Sequence, residues 1–293
     1  MSTKTIKSVC VIGAGLMGKQ IALNAAIKGY QTRLTDSFPE ALQKAESWAI
    51  GYLEERVAKN KLSKEEADLA SKNFKVVSGL KEAASGADLV IEAIIEKREE
   101  KEKLFKSLND LVSEDTIIAT NSSFMVSSLF KNCVRNPGRL ANLHYFNPAL
   151  SMRLVEIVKG EHTTFDTAKS LQEFAYGIGK VPVLIKKEID GFIVNRIARA
   201  IAFAALEIVS LGVADPVDVD LALENGLNHP MGPFKLMDLT GVDLTYYVMS
   251  DLENAGEHHS GYELVKEKFE KGEFGMKSGK GWYDYSSNKD KQK

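Results

Sequence analysis

Ser8–Gly13 is a short apolar run that ends in Gly13-Ala14-Gly15-Leu16-Met17-Gly18, with helical periodicity following from about Leu16 to Lys28. A continuous apolar run of this length, closed by glycine and leading into a helix, reads as a strand buried on both faces. That order constrains the fold more than any other feature of the chain. A strand covered on both sides needs helices on each face of its sheet, and strand–turn–helix is the opening of a parallel crossover. Gly13 permits the tight turn, Gly15 lets a pyrophosphate approach the backbone, and Gly18 lets helix and strand pack closely. The helix N-terminus presents N–H donors and a positive dipole end to the phosphates. A second strand, Gln31–Asp36, closes on an acid suited to accept hydrogen bonds from both adenosine ribose hydroxyls. A carboxylate there repels a 2′-phosphate. The unit therefore reads as a site for NAD rather than NADP, with Gly13, Gly15, Leu16, Met17, Gly18 and Asp36 as its contacts.

The alternation continues. Phe74–Ser78, Leu89–Ile94 and Thr116–Thr120 read as short strands, and Pro39 to about Asn60, Lys61–Ser71 and Arg98–Leu111 read as helical. Leu140–Phe146, Leu154–Val158 and Val181–Ile185 extend the series of strands. The fold class predicted is α/β, a doubly wound Rossmann-type sheet with helices on both faces. From Gly191 onward only helical patterns remain: Gly191–Leu211, Pro216–Glu224, Gly232–Asp238, Leu239–Ala255 and Tyr262–Lys271. The domain boundary is placed at 187/188, giving a cofactor-binding domain over 1–187 and a smaller all-helical domain over 188–293. Gly191–Leu211 is apolar almost all round, so it belongs either at the centre of a domain or in a subunit interface.

Composition removes several partner classes. A net charge of −2 over 293 residues argues against nucleic acid or an anionic membrane surface. No stretch is long and apolar enough to span a bilayer, and no signal-like segment is read at the N-terminus. Two cysteines, Cys10 and Cys133, are too few for a disulfide framework or a metal cluster, which points to a reducing, cytoplasmic setting and no metal. The polar Ser286–Lys293 tail is expected to fray.

Chemistry is concentrated between residues 144 and 158. Glu156 lies inside the apolar run Leu154–Val158, where an ionised carboxylate is costly unless a partner compensates it. His144 lies inside the neighbouring run. If the two runs pair, the carboxylate fixes the imidazole tautomer and makes a dyad suited to moving a proton near pH 7. Of the other histidines, His162, His258 and His259 stand in charged, loop-like contexts and read as solvated.

These blocks together resemble the L-3-hydroxyacyl-CoA dehydrogenase family. The resemblance is carried by Gly13–Gly18, Asp36, Val90-Ile91-Glu92-Ala93, Asn121-Ser122-Ser123, His144–Pro148 and Leu154–Ile157. It runs on through Gly191–Arg196, His229–Phe234 and Lys277–Tyr283, and the length and Lys-Ser-Gly-Lys-Gly ending are most similar to the bacterial 3-hydroxybutyryl-CoA branch. The resemblance implies His144 as general base in oxidation and acid in reduction, with Glu156 orienting it. It implies Ser123 and Asn195 as holders of the substrate's reacting oxygen, and Asn147 beside nicotinamide and substrate. Glu96, Lys101, Ser123 and Lys277 match contacts to NAD. It also implies a small acyl-CoA substrate. The helical C-terminal domain itself predicts a homodimer through Gly191–Leu211 and its neighbours, with internal core as the alternative for that helix.

The chain departs from the family at Phe124, where a second hydroxyl is common, and at Leu53 and Asn60, which align with coenzyme A contacts in some relatives. Two further readings stay open: a dehydrogenase of a non-thioester alcohol such as carnitine or L-gulonate, and a non-catalytic, crystallin-like NAD-binding protein.

Overall fold

A computed structural model describes residues 3–286; the remainder of the tail expected to fray lies outside them. The chain forms two compact units, Met1–Phe192 and Ile193–Lys293, whereas the sequence places the division slightly earlier.

The first unit runs β1 (Ser8–Ile12), α1 (Leu16–Ile27), β2 (Gln31–Thr35), α2 (Pro39–Ala58), α3 (Lys64–Asn73), β3 (Phe74–Val76), α4 (Leu80–Ala84) and β4 (Leu89–Glu92). It continues with α5 (Arg98–Leu108), β5 (Ile117–Thr120), β6 (Leu140–Tyr145), β7 (Leu154–Val158), α6 (Phe165–Gly177) and β8 (Val181–Ile185). Eight strands form one sheet in the order β3-β2-β1-β4-β5-β6-β7-β8. Side chains of β1 alternate between two cores: Val9 and Val11 join the cluster under α1, α2 and α6, while Cys10 and Ile12 join the one around α5. This two-sided burial is why the strand reads as a continuous apolar run.

The glycine turn is sterically determined. Gly13 has φ +107°, and a Cβ there would lie 2.4 Å from Ala93 O. A Cβ on Gly18 would lie 1.7 Å from Gly13 O, so only glycine lets α1 close on the strand.

Two features differ from the doubly wound parallel reading. β6 and β7 are antiparallel, because the link between Tyr145 and Leu154 is too short for a crossover. The sequence reading also places no helix between Leu154–Val158 and Val181–Ile185, yet α6 is there, with Thr164 capping it by accepting from Thr167 N. β7 and β8 are parallel neighbours, so a crossover element is obligatory.

The second unit contains α7 (Val194–Ser210), α8 (Pro216–Gly226), α9 (Pro233–Thr240), α10 (Val242–Asn254) and α11 (Tyr262–Glu270). Its core is built on Leu206, Phe234, Met237, Val242, Met249 and Val265. Asp220 on α8 caps α9 by accepting from Phe234 N and Lys235 N. Asp238 on α9 accepts from Trp282 N, Tyr283 N and the Tyr285 hydroxyl, fastening the segment after α11. α7 is not buried on several sides as a central helix would be. Only Ala205 and Leu206 are buried on it, while Ile197 is 55% and Leu211, its C-cap, 69% exposed. No helix among the described residues is long and apolar enough to cross a membrane.

Candidate active site

The carboxyl ends of β1 and β4 lie side by side where the strand order reverses, the place at which open α/β sheets bind ligands. The Gly13–Gly18 turn leaves β1 here. A Cβ on Gly15 would meet nothing within 4 Å, so the crest of the turn is open to an approaching phosphate. The first turn of α1 carries no acidic residue to oppose an anion. Asp36 is held by two backbone donors, Ala14 N to Oδ2 at 2.6 Å and Phe38 N to Oδ1 at 2.9 Å. Each oxygen keeps acceptor capacity for a ribose hydroxyl. The residues present therefore fit a dinucleotide.

The antiparallel ladder of β6 and β7 sets His144 directly opposite Glu156. Directly opposed residues share a face, and His144 Nδ1 lies 2.9 Å from Glu156 Oε2. Both side chains are buried, at 3% and 1% exposure. With Nδ1–H donating to the carboxylate, Nε2 is left as an acceptor. It lies 2.9 Å from the Ser123 hydroxyl. The rings of Phe146 and Phe192 pack edge-on against the imidazole, with centroids 4.7 and 5.3 Å away, and keep it dry.

Ser123 sits on the loop after β5. Its neighbour Ser122 donates to Glu96 Oε1, which also accepts from Phe124 N. Glu96 Oε2 lies 3.0 Å from Lys101 Nζ. Burial alone would raise the Glu96 carboxyl, but the Ser122 hydroxyl, the Lys101 ammonium and Phe124 N–H together hold it below the ordinary carboxylate value.

Residues 8–189 match the family described as 3-hydroxyacyl-CoA dehydrogenase, NAD binding domain, and residues 191–285 match its C-terminal domain. The chain belongs to the 3-hydroxyacyl-CoA dehydrogenase family. It is similar to human mitochondrial hydroxyacyl-coenzyme A dehydrogenase, 35% identical over 96% of this chain and 91% of that one. It is similar also to a probable 3-hydroxybutyryl-CoA dehydrogenase of Bacillus subtilis, 34% identical over 96% of this chain and 98% of that one. Among solved structures, the (S)-3-hydroxybutyryl-CoA dehydrogenase of Ralstonia eutropha matches with a TM-score of 0.89 at 30% identity, covering 96% of this chain and 99% of that one.

The remaining sequence-predicted residues of this NAD-dependent dehydrogenase are placed as follows. Asn147 is exposed, on a loop that Lys180 tethers by donating to Ala149 O and Met152 O. Lys101 is enclosed rather than solvent-facing, at 1% exposure. Asn195 and Lys277 belong to the second unit. The former is half-buried in the first turn of α7, and the Lys277 ammonium lies 2.6 Å from Asp243 Oδ2. Leu53 is packed in the core at 5% exposure, which removes it from any ligand surface, and Asn60 is exposed. His162 is not solvated as the sequence suggests. It is half-buried with Nε2 3.4 Å from Ser127 Oγ, and burial lowers its pKa. Sequence reasoning did not single out the partners behind the site, Glu92 and Thr120, or the rings on His144. An acid closing the apolar run Leu89–Glu92 was the available signal.

Proposed function

We propose that the dehydrogenase interconverts short-chain (3S)-3-hydroxyacyl-CoA esters and their 3-keto forms, with NAD as hydride carrier. The observation that carries this is the chain Ser123 Oγ to His144 Nε2 to Glu156, with contacts of 2.9 Å and 2.9 Å. In oxidation, His144 Nε2 takes the proton of the substrate's 3-hydroxyl while Glu156 holds the Nδ1 proton and stabilises the imidazolium. In reduction the same nitrogen returns the proton. Ser123 hydrogen-bonds the reacting oxygen and sets its approach to Nε2. The cofactor, when bound at the Gly13–Gly18 turn and Asp36, supplies a hydride acceptor in one direction and a donor in the other. Phe124, 50% exposed beside Ser123, adds apolar bulk that suits a short acyl chain.

The second unit is proposed to hold a homodimer together. Ile193, Ile197, Ile208 and Leu211 are 40%, 55%, 37% and 69% exposed along one helix and its ends, an apolar surface of the kind that association covers. The two free, buried cysteines support a reducing cytoplasmic setting.

The test is steady-state reduction of acetoacetyl-CoA with NADH and NADPH, beside oxidation of carnitine and L-gulonate with NAD. Preference for acetoacetyl-CoA with NADH, abolished in His144→Ala while NADH still binds, is the expected result. Faster turnover of either free alcohol, or none that depends on His144, would overturn the reading.

A further inference from the structure

Asn142 stands two residues before His144 on β6 and is wholly buried. It is opposed to Val158 on β7 and paired with Thr120 at the end of β5. A strand enclosed on both faces calls for apolar side chains, and Leu140, Ala141 and Leu143 around it comply. A buried amide is costly unless its donors and its acceptor are satisfied. The hydrogen bonds of this one go to a single short segment, the loop after β5. Asn142 Oδ1 accepts from Ser127 N at 2.7 Å, and Nδ2 donates to Met125 O at 2.9 Å and to Ser122 O at 3.4 Å. Ser123 lies inside that span, its hydroxyl 2.9 Å from His144 Nε2.

Alternate residues of a strand project from the same face, about 7 Å apart along it. Asn142 and His144 therefore stand side by side, and the base and the amide that grips the loop share one strand. The loop has other holds. The Ser122 hydroxyl and Phe124 N donate to Glu96 Oε1, and the Ser127 hydroxyl and Ser128 N donate to Glu188 Oε1, the latter two at 2.9 Å each. Neither carboxylate refers the loop to the strand that carries the base; Asn142 does. We infer that Asn142 is a positioning residue that sets the approach of Ser123 to His144. The inference rests on the role proposed above for Ser123. Displacing a reacting group by about 1 Å costs about a hundredfold in rate, so releasing the loop from β6 slows turnover without weakening the cofactor's hold.

Asn142→Ala removes all three bonds and leaves Glu96 and Glu188 to hold the loop, which loosens rather than detaches. In this variant kcat for acetoacetyl-CoA falls about tenfold to a hundredfold, while the NADH dissociation constant, from fluorescence titration, stays within about threefold. In a Ser123→Ala background, Asn142→Ala causes no further loss of kcat, since both changes act on one interaction. Asn142→Thr has a branched side chain suited to a strand but too short to satisfy all three partners. It guards against a folding failure in Asn142→Ala and loses kcat in the same range. Thermal unfolding establishes that each variant is folded. Wild-type kcat in either folded variant, with only the melting midpoint lowered, would overturn the inference, because the amide would then serve the sheet and not the reaction. Losses that multiply with Ser123→Ala, or NADH affinity that falls as far as kcat, would overturn it as well. Ser123→Ala turning over at the wild-type rate would instead refute the role of Ser123 itself, whatever Asn142→Ala shows.

Discussion

Replacing Glu156 by glutamine keeps the size of the side chain and removes its charge, which isolates the electrostatic part of the dyad. His144 and Glu156 are 3% and 1% exposed and 2.9 Å apart, so solvent screens the pair little. At an effective dielectric of about 20, unit charges about 4 Å apart interact by about 4 kcal/mol. That attraction exists only while the imidazole carries the proton taken from substrate, so it lowers the barrier rather than the ground state. At about 1.4 kcal/mol per decade it corresponds to about a thousandfold in rate, within the 10²–10⁴ range of general acid–base groups. Initial rates of NAD reduction with saturating (S)-3-hydroxybutyryl-CoA, the direction in which His144 takes up the proton, measure the loss, and NADH titration checks that the cofactor site is intact. A variant turning over within about threefold of wild type would refute the argument. So would a rate loss matched by an equal loss of NADH affinity, because the carboxylate would then be supporting the fold of the site and not the imidazolium.

Asp36→Ala removes an acceptor held by Ala14 N and Phe38 N. NADH affinity is expected to fall about tenfold to a hundredfold, with the preference over NADPH narrowed, as read by parallel titrations. Ile197→Asp places a charge on the exposed apolar side of α7. It is expected to weaken a dimer by about 3 kcal/mol, roughly a hundredfold, and to release monomer in sedimentation. Asp238 tests the second unit through pH. Burial raises its carboxyl above the ordinary value, against the pull of Trp282 N–H, Tyr283 N–H, the Tyr285 hydroxyl and Lys268. The folded state therefore binds this proton more tightly than the unfolded chain. Its contribution to stability is full below the ordinary aspartate value and is lost as pH rises through the raised one. Urea unfolding across the carboxylate range is expected to show that loss in the wild type and a flatter profile in Asp238→Asn.

The parts of this molecule that were legible in the sequence are those where one residue type has a single physical excuse. Glycines at 13 and 18 admit no Cβ, an acid inside an apolar run demands a partner, and a strand buried on both faces demands helices on each side. The antiparallel turn of β7 and the helix α6 were less visible, because each follows from connection length and strand direction rather than from any residue. Glu92 ends an apolar run as Asp36 ends another, but its meaning lies in Lys101 and Thr120, nine and twenty-eight positions away. Contacts of that kind carry no local pattern. α7 reads as a buried helix because periodicity reports apolar faces and not what covers them, and among the described residues much of that surface is exposed.

The antiparallel β6–β7 ladder separates two things that usually constrain each other. The pairing of His144 with Glu156 is set by backbone register, since the two are directly opposed within paired strands. The eight residues between the strands, 146–153, carry Asn147 and are fastened from outside by Lys180. Lengthening that loop leaves the His144–Glu156 pair where it is. A single residue inserted inside either strand turns every side chain beyond it to the opposite face. The hairpin can therefore change length at one end, while the His144–Glu156 contact is guarded against the same insertions a few residues away.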